Sequence, residues 1–348
     1  MNVLRTFYRG EGQVDFVALS RKVILASAAL IAIGFIALLA RGLNLGIEFE
    51  GGVVWEIPAS ESLTEDDIRG VLSEFGQDAR IQTVTGSTDI FRVRAESTDL
   101  DAQQGMSQAL AAVAGVSVND LSLTEVGPSW GERVTGEARN ALIWFFIIIA
   151  LYIALRFEWK MAIAALVAVA HDIILSVGFY ALFQLDVTPA TVIAFLTIMG
   201  YSLYDTLVVF DRVRENTKAA EKTRTTYNAL TNVSMNQVIM RSINTTITSA
   251  LPVLSMLFIG SFLLGAVALQ EFAVALLVGI FFGTYSSIFI AAPVLVWMKN
   301  REPEWARRDD FAARGDAAGS IAEARQSLMA SRYTRSQAPR PRKKGRVR

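Results

Sequence analysis

The chain has 348 residues, 52% of them apolar, and its 33 basic and 33 acidic residues cancel. An apolar share this high, with a positive mean hydropathy, sets it apart from ordinary soluble domains. It has no cysteine and a single histidine, His171, which excludes disulfides, thiolate chemistry and a histidine-based metal cluster; no cofactor, metal or enzymatic activity is expected.

Six segments are apolar enough, and near enough to the roughly 20 residues a bilayer requires, to be read as spans: 23–40, 138–157, 161–185, 188–210, 237–262 and 272–298. Residues 1–22 precede the first, which lacks a small-x-small site before Arg41 and reads as an uncleaved anchor. The segment 41–137 follows, with 17 acidic residues against 6 basic ones. Within it, 51–57 reads as a strand. Thr64 with Asp67 three residues on opens a helix over 64–75 that Gly76 stops. Strands over 80–85 and 90–95 are joined by the turn Gly86-Ser87-Thr88-Asp89. A helix over 101–114, stopped by Gly115, and a strand over 120–126 complete a βαββαβ order, the ferredoxin-like split βαβ pattern. The predicted fold class is thus a polytopic α-helical membrane protein with six transmembrane helices and a small α+β domain outside the cytoplasm. That domain holds no catalytic set; Asp66, Asp67, Glu74 and Asp78 read as a solvated face.

Positive charge sets the orientation. Arg5, Arg9, Arg21 and Lys22 lead into the first span, Arg156 and Lys160 sit between spans two and three, and five basic residues occupy the loop between spans four and five. The tail 299–348 holds fourteen more, whereas the short loops at Asp186 and 261–265 hold none. Both termini are therefore expected in the cytoplasm. The tail, polar and basic at its end (Arg340, Arg342, Lys343, Lys344, Arg346, Arg348), is expected to be disordered apart from a short helix at 321–330. It is either a solvated topology signal or a contact for anionic lipid or the ribosome.

Charge inside the spans marks the candidate site, because an ionisable side chain at bilayer depth is costly. Asp205 lies in span four, with Tyr201 and Ser202 on its side of the helix. Span five carries Arg241, Asn244, Thr245 and Thr248 at i, i+3, i+4 and i+7, a polar stripe expected to face protein or water. Antiparallel neighbours bring Asp205 and Arg241 to similar depth. Burial raises a carboxylate's proton affinity and a guanidinium lowers it, so the pair is either a proton switch or a static ion pair. In span three, His171 and Asp172 lie near the middle; Asp172 is a proton carrier or a structural group, and His171 reads as an interface residue. Gly279 and Gly283, followed by Ser286 and Ser287, form a close-packing face in span six. Pro189 and Pro252 read as a helix start and a kink, and Glu271 as a solvated interfacial residue.

Several segments in order carry a resemblance. LNLGIEFEGG (43–52), VGPSWG (126–131), the pair His171–Asp172, GYSLYDTLVVFDRVREN (200–216), RSINTTITSALP (241–252) and GTYSSIF (283–289) together resemble the SecF family of bacterial protein-export subunits, within the RND superfamily. The resemblance implies half of a twelve-span assembly in the plasma membrane whose other half is SecD. It implies work with the SecYEG channel on translocating preproteins, driven by the proton motive force, with YajC as a further partner. By position, Asp205 matches the family's proton-coupling aspartate and Arg241 its membrane arginine. The sequence departs at Glu48, where Asp is usual, at Tyr204, where Asn is usual, and at Arg133, where an acidic residue is common. Two other readings stay open: a small-molecule exporter of the same superfamily, and a non-conducting structural subunit of the export channel.

Overall fold

The computed structural model describes residues 3–60, 63–77, 79–84, 89–96, 100–221 and 223–336. A short helix α1 (Val3–Tyr8) leads to α2 (Phe16–Arg41), capped by the Asp15 carboxylate, which accepts from the Ala18 N–H at 2.9 Å. After β1 (Asn44–Leu45) and the single turn α3 (Ile47–Glu50) come β2 (Gly52–Pro58), α4 (Glu65–Glu74), β3 (Arg80–Val84), β4 (Ile90–Ala95), α5 (Leu100–Ala114) and β5 (Ser122–Val126). The long helices follow: α6 (Pro128–Arg156), α7 (Trp159–Phe183), the strand β6 (Asp186–Val187), α8 (Pro189–Ala219), α9 (Tyr227–Phe258), α10 (Val267–Ser286) and α11 (Ala292–Lys299). A π-turn, Ser287–Ala291, joins α10 to α11 into one span, and α12 (Pro303–Ala313) and α13 (Ile321–Ser336) close the described chain. Among the described residues, six helices are long and apolar enough to cross a bilayer.

The segment after α2 folds on itself. β2 pairs antiparallel with both β4 and β5, and β4 with β3, giving the sheet order β3-β4-β2-β5. Thr64 caps α4 through a reciprocal capping box with Asp67, as its sequence suggests. Gly76 and Gly115, at φ 69° and 68°, take the left-handed conformation that ends α4 and releases the chain after α5. Alternation along the strands divides the sheet. Val53, Trp55, Ile57, Phe91 and Val93 are buried under α4 and α5 with Ile68, Leu72, Met106 and Leu110. Arg80, Gln82, Arg92 and Arg94 lie on the other face, registered side by side across β3 and β4. The predicted turn residues Gly86–Thr88, and Asp78, lie outside the described residues.

That arginine face sits on the bundle. β1 pairs in parallel with β6, so the loop between α7 and α8 joins the base of the small domain. Asp186 in that loop accepts from Arg94 Nη2 at 2.8 Å and Gln82 Nε2 at 3.1 Å, lies 3.5 Å from Arg92 Nη1, and is also bonded to Asn44. Glu271, in the first turns of α10, accepts from Arg92 Nη1 at 2.7 Å and from the Thr188 hydroxyl at 2.9 Å. Thr188 is also the cap of α8. The expectation of a solvated Glu271 is therefore wrong: its side chain is 13% exposed, because the domain folds back over the helix ends.

Glycines let the helices approach. A Cβ on Gly34 of α2 would stand 2.6 Å from the Gly178 Cα of α7, and one on Gly283 of α10 would stand 2.6 Å from the Ser202 Cβ of α8. Ala164, Ala165 and Ala168 of α7 are fully buried as well. At the end away from the domain, the chain differs from the expected disordered tail. Trp305 of α12 is 5% exposed and meets Tyr227 edge-on at 4.9 Å, while Ala324 and Leu328 of α13 are buried. The Arg325 guanidinium donates to the carbonyls of Gly10, Glu11 and Gly12 at 3.1, 3.0 and 2.7 Å, tying the tail to the leader. A few well-spaced apolar residues order this segment even though its average composition is polar. The basic stretch 337–348 lies outside the described residues.

Candidate functional site

The buried polar groups of the bundle meet on α8. Asp205, 6% exposed, accepts from the Ser242 hydroxyl of α9 at 2.7 Å through Oδ1, and its buried Oδ2 has no hydrogen-bond partner among the described residues. One turn nearer the domain, about 4.5 Å along the axis, the Ser202 hydroxyl donates to Asp172 Oδ2 of α7 at 2.6 Å. His171 Nδ1 lies 3.3 Å from the other oxygen of Asp172, and its Nε2 is hydrogen-bonded to Ser27 of α2. Its ring stacks on Tyr285 at 5.9 Å, and the Tyr285 hydroxyl donates to the Val23 carbonyl at 3.1 Å. His171 is thus tied into a helix interface, as its sequence position suggests.

The π-turn at Ser287 is fixed to the same layer. Its hydroxyl bonds Thr206 Oγ1 at 2.9 Å and the Ser202 carbonyl at 3.2 Å. Thr246 of α9 and Thr284 of α10 share a bond of 2.8 Å. Five helices contribute to this polar layer. Gly283 makes room for Ser202, and Gly279 packs on Ile198, so the small face of α10 positions the hydroxyl that holds Asp172. Ser286 is buried and bonds the Gly283 carbonyl at 3.2 Å.

Asp205 and Arg241 stand on adjacent helices at one level, yet no ion pair within 4.0 Å joins them. Arg241 Nη2 instead donates to the Tyr204 hydroxyl at 3.1 Å. Neighbouring helical residues point about 100° apart, so the two contacts fall on opposite edges of the α8–α9 seam. Asp205–Ser242 lies on the inner edge and Tyr204–Arg241 on the outer one. Arg241 and Tyr204 line an open cavity of about 540 Å³ at the end away from the domain, with Tyr152, Arg156, Asp211 and Gln237.

The predicted stripe of α9 faces outward. Arg241, Asn244 and Thr248 are exposed, and the Thr245 and Thr248 hydroxyls bond carbonyls of their own helix at 2.8 and 2.9 Å. Asn244 accepts from the Tyr8 hydroxyl at 3.2 Å. Tyr201 is half-buried among Tyr180, Ile198 and Leu276, away from the carboxylates. The inward partners are Ser242 and Thr246, a second i, i+4 polar pair one residue out of phase with the first; Ser202 and Thr206 repeat that spacing on α8. Among the described residues no group of three or more His, Asp or Glu stands close enough to hold a metal. The arrangement can hold a proton on a buried carboxylate and bring a fixed cation to it; nothing in it resembles a nucleophile with its base.

The sequence matches the family model of the protein export membrane protein SecD/SecF C-terminal region over residues 106–301, and that of the SecD/SecF GG motif over 36–62. It is 40% identical over 327 residues to the protein translocase subunit SecF of Streptomyces coelicolor, covering 91% of this chain and 87% of that one. The SecF subunit of Mycobacterium tuberculosis is 36% identical over 309 residues, covering 86% and 70%. The fold is similar to the crystal structure of SecDF, a translocon-associated membrane protein from Thermus thermophilus, with a TM-score of 0.75 and 34% identity. That match covers 84% of this chain and 39% of the SecDF chain, so this chain corresponds to about two fifths of it. With its six apolar helices and ordered motifs, this multi-pass membrane chain belongs to the SecD/SecF family of protein export membrane proteins.

Proposed function

We infer that the chain is a non-enzymatic, proton-driven component of protein export in the bacterial plasma membrane, acting with SecD beside the SecYEG channel. The observation that carries this reading is Asp205: a buried carboxylate with one oxygen free, one residue from a guanidinium-bound tyrosine, beside a cavity at the basic end of the bundle. The distribution of positive charge supports an orientation with that end and both termini in the cytoplasm and the α+β domain outside. The domain's sheet order and element order support a ferredoxin-like unit over 41–137.

The outward stripe of α9 supports the partner. A guanidinium, an amide and a threonine at bilayer depth are unfavourable against lipid, so a second helical half covers them. SecD fits that place. In the cycle we infer, a proton neutralises Asp205 while Arg241 rests on Tyr204. Arg241 then crosses the seam, pairs with the Asp205 carboxylate and releases the proton. Asp172, Ser202 and Ser287 hold the helices in register as α8 adjusts.

One charge falling through 100 mV supplies about 2.3 kcal/mol, enough to bias a helix shift. The Arg92–Glu271 and Arg94–Asp186 contacts tie the small domain to the starts of α8 and α10, and in the cycle we infer it moves with them. Proteoliposomes holding this chain with SecD and an internal pH dye test the reading. Under an imposed proton gradient, wild type acidifies the lumen and Asp205→Asn at equal loading does not; equal flux in both would sink it.

A further inference from the structure

We propose that Tyr204 is a positioning residue: its hydroxyl is the resting site of Arg241 and competes with Asp205 for that guanidinium. This rests on the proton-coupling role inferred for Asp205. Two adjacent pairs cross the α8–α9 seam, Tyr204 with Arg241 at 3.1 Å and Asp205 with Ser242 at 2.7 Å. Asp205 Oδ2 is buried and without a partner among the described residues. A free carboxylate oxygen and a guanidinium held one residue away are two ends of one unmade contact. The phenol is what holds Arg241 on the outer edge.

The surroundings leave this competition between two acceptors largely undisturbed. The other charged or titratable groups lining the cavity are Tyr152 and Arg156 from α6, and Asp211, Arg212 and Glu215 from α8. Arg212 is committed to Gln237 at 2.7 Å and Glu215 at 2.5 Å. Asp211 is exposed, nearly two turns of α8 beyond Tyr204. Asp172 of α7 lies one turn deeper and is bonded to Ser202. From α10 and the π-turn the layer receives the hydroxyls of Thr284, Tyr285, Ser286 and Ser287, and Tyr285 is committed to the His171 ring and the Val23 carbonyl. A phenol suits the task because it accepts a hydrogen bond without carrying a charge, so Arg241 is held and not trapped. Tyr204 is also 52% exposed, so its replacement leaves the packed core untouched.

The test is the pH dependence of proton flux in proteoliposomes of the full chain with SecD, at matched protein. Tyr204→Phe keeps the ring and removes the acceptor, so Arg241 spends more time on Asp205. The flux midpoint then moves to lower pH by about one unit, the worth of one hydrogen bond to a charged group. Tyr204→Gln, which restores an oxygen acceptor, returns the midpoint toward wild type. A shift of equal size in both variants would mean that the ring matters and the hydroxyl does not, overturning the proposal. An unmoved midpoint in Tyr204→Phe, with flux still abolished by Asp205→Asn, overturns it while leaving the role of Asp205 intact. Full flux in Asp205→Asn removes both.

Discussion

Replacing Gly283 by alanine adds one methyl where α10 meets α8. The new Cβ would stand 2.6 Å from the Ser202 Cβ and 2.9 Å from its Oγ, against ordinary contacts of 3.4–4 Å. The helices must separate, or Ser202 must turn away from Asp172. Overpacking costs about 1–3 kcal/mol, a lost hydrogen bond to a carboxylate adds about 1.5–3 kcal/mol, and the better helix propensity of alanine returns about 1 kcal/mol. The expected net loss is about 1.5–5 kcal/mol. Gly136 of α6 has no heavy atom within 4 Å of the same built position, so Gly136→Ala should stabilise by about 0.5–1 kcal/mol. Equilibrium unfolding in mixed micelles, followed by tryptophan fluorescence, reads both. If Gly283→Ala were neutral or stabilising, the claim that this glycine seats Ser202 against Asp172 would be refuted.

Arg92→Ala leaves Glu271 and Asp186 short of a cation and should loosen the small domain by about 3–5 kcal/mol, seen as faster hydrogen exchange in β2 and β4. Arg92→Leu combined with Glu271→Leu should recover most of that stability; a double variant as weak as the single one would contradict the ion-pair account. Trp305→Ala should free α12, costing about 3–5 kcal/mol, with new exchange confined to α12 and α13 if the docking is as described. Burial pushes the Glu302 carboxyl up, but Lys160 at 2.9 Å and Lys299 at 3.2 Å outweigh it and hold it below 4.5. Its contribution is present above pH 4.5 and is lost as pH falls through the lowered value, so α12 should loosen only in acid. The side chain is 30% exposed, which limits the effect to about 1 kcal/mol or less; loosening between pH 5 and 7 would assign it to another group.

The spans, the capping box at Thr64 and the two buried carboxylates were legible because each is local: a run of apolar residues, a spacing of three, a charge out of place. What the sequence left open depended on tertiary contact. Arg92 and Arg94 alternate with apolar residues along β4, and nothing in that local pattern names their partners until the sheet folds onto Asp186 and Glu271. Trp305, Ala324 and Leu328 are too sparse to lift the average hydropathy of the tail, yet they order it. At the site, sequence spacing joined Asp205 to Arg241. The structure places Ser242 and Tyr204 as their partners, each one residue along from the expected contact, because adjacent helical residues face opposite edges of one seam. The stripe on α9 is expected to face protein or water, and in this single chain Arg241, Asn244 and Thr248 are exposed.

In the cycle inferred above, the Asp205 carboxylate couples protons to export. Pulse-chase of a secreted precursor decides this, in cells whose only copy carries Asp205→Asn, beside wild type and Asp211→Asn at equal membrane abundance. Accumulated precursor in Asp205→Asn alone is the predicted result. Normal processing in all three would make Asp205 a structural charge and contradict the account.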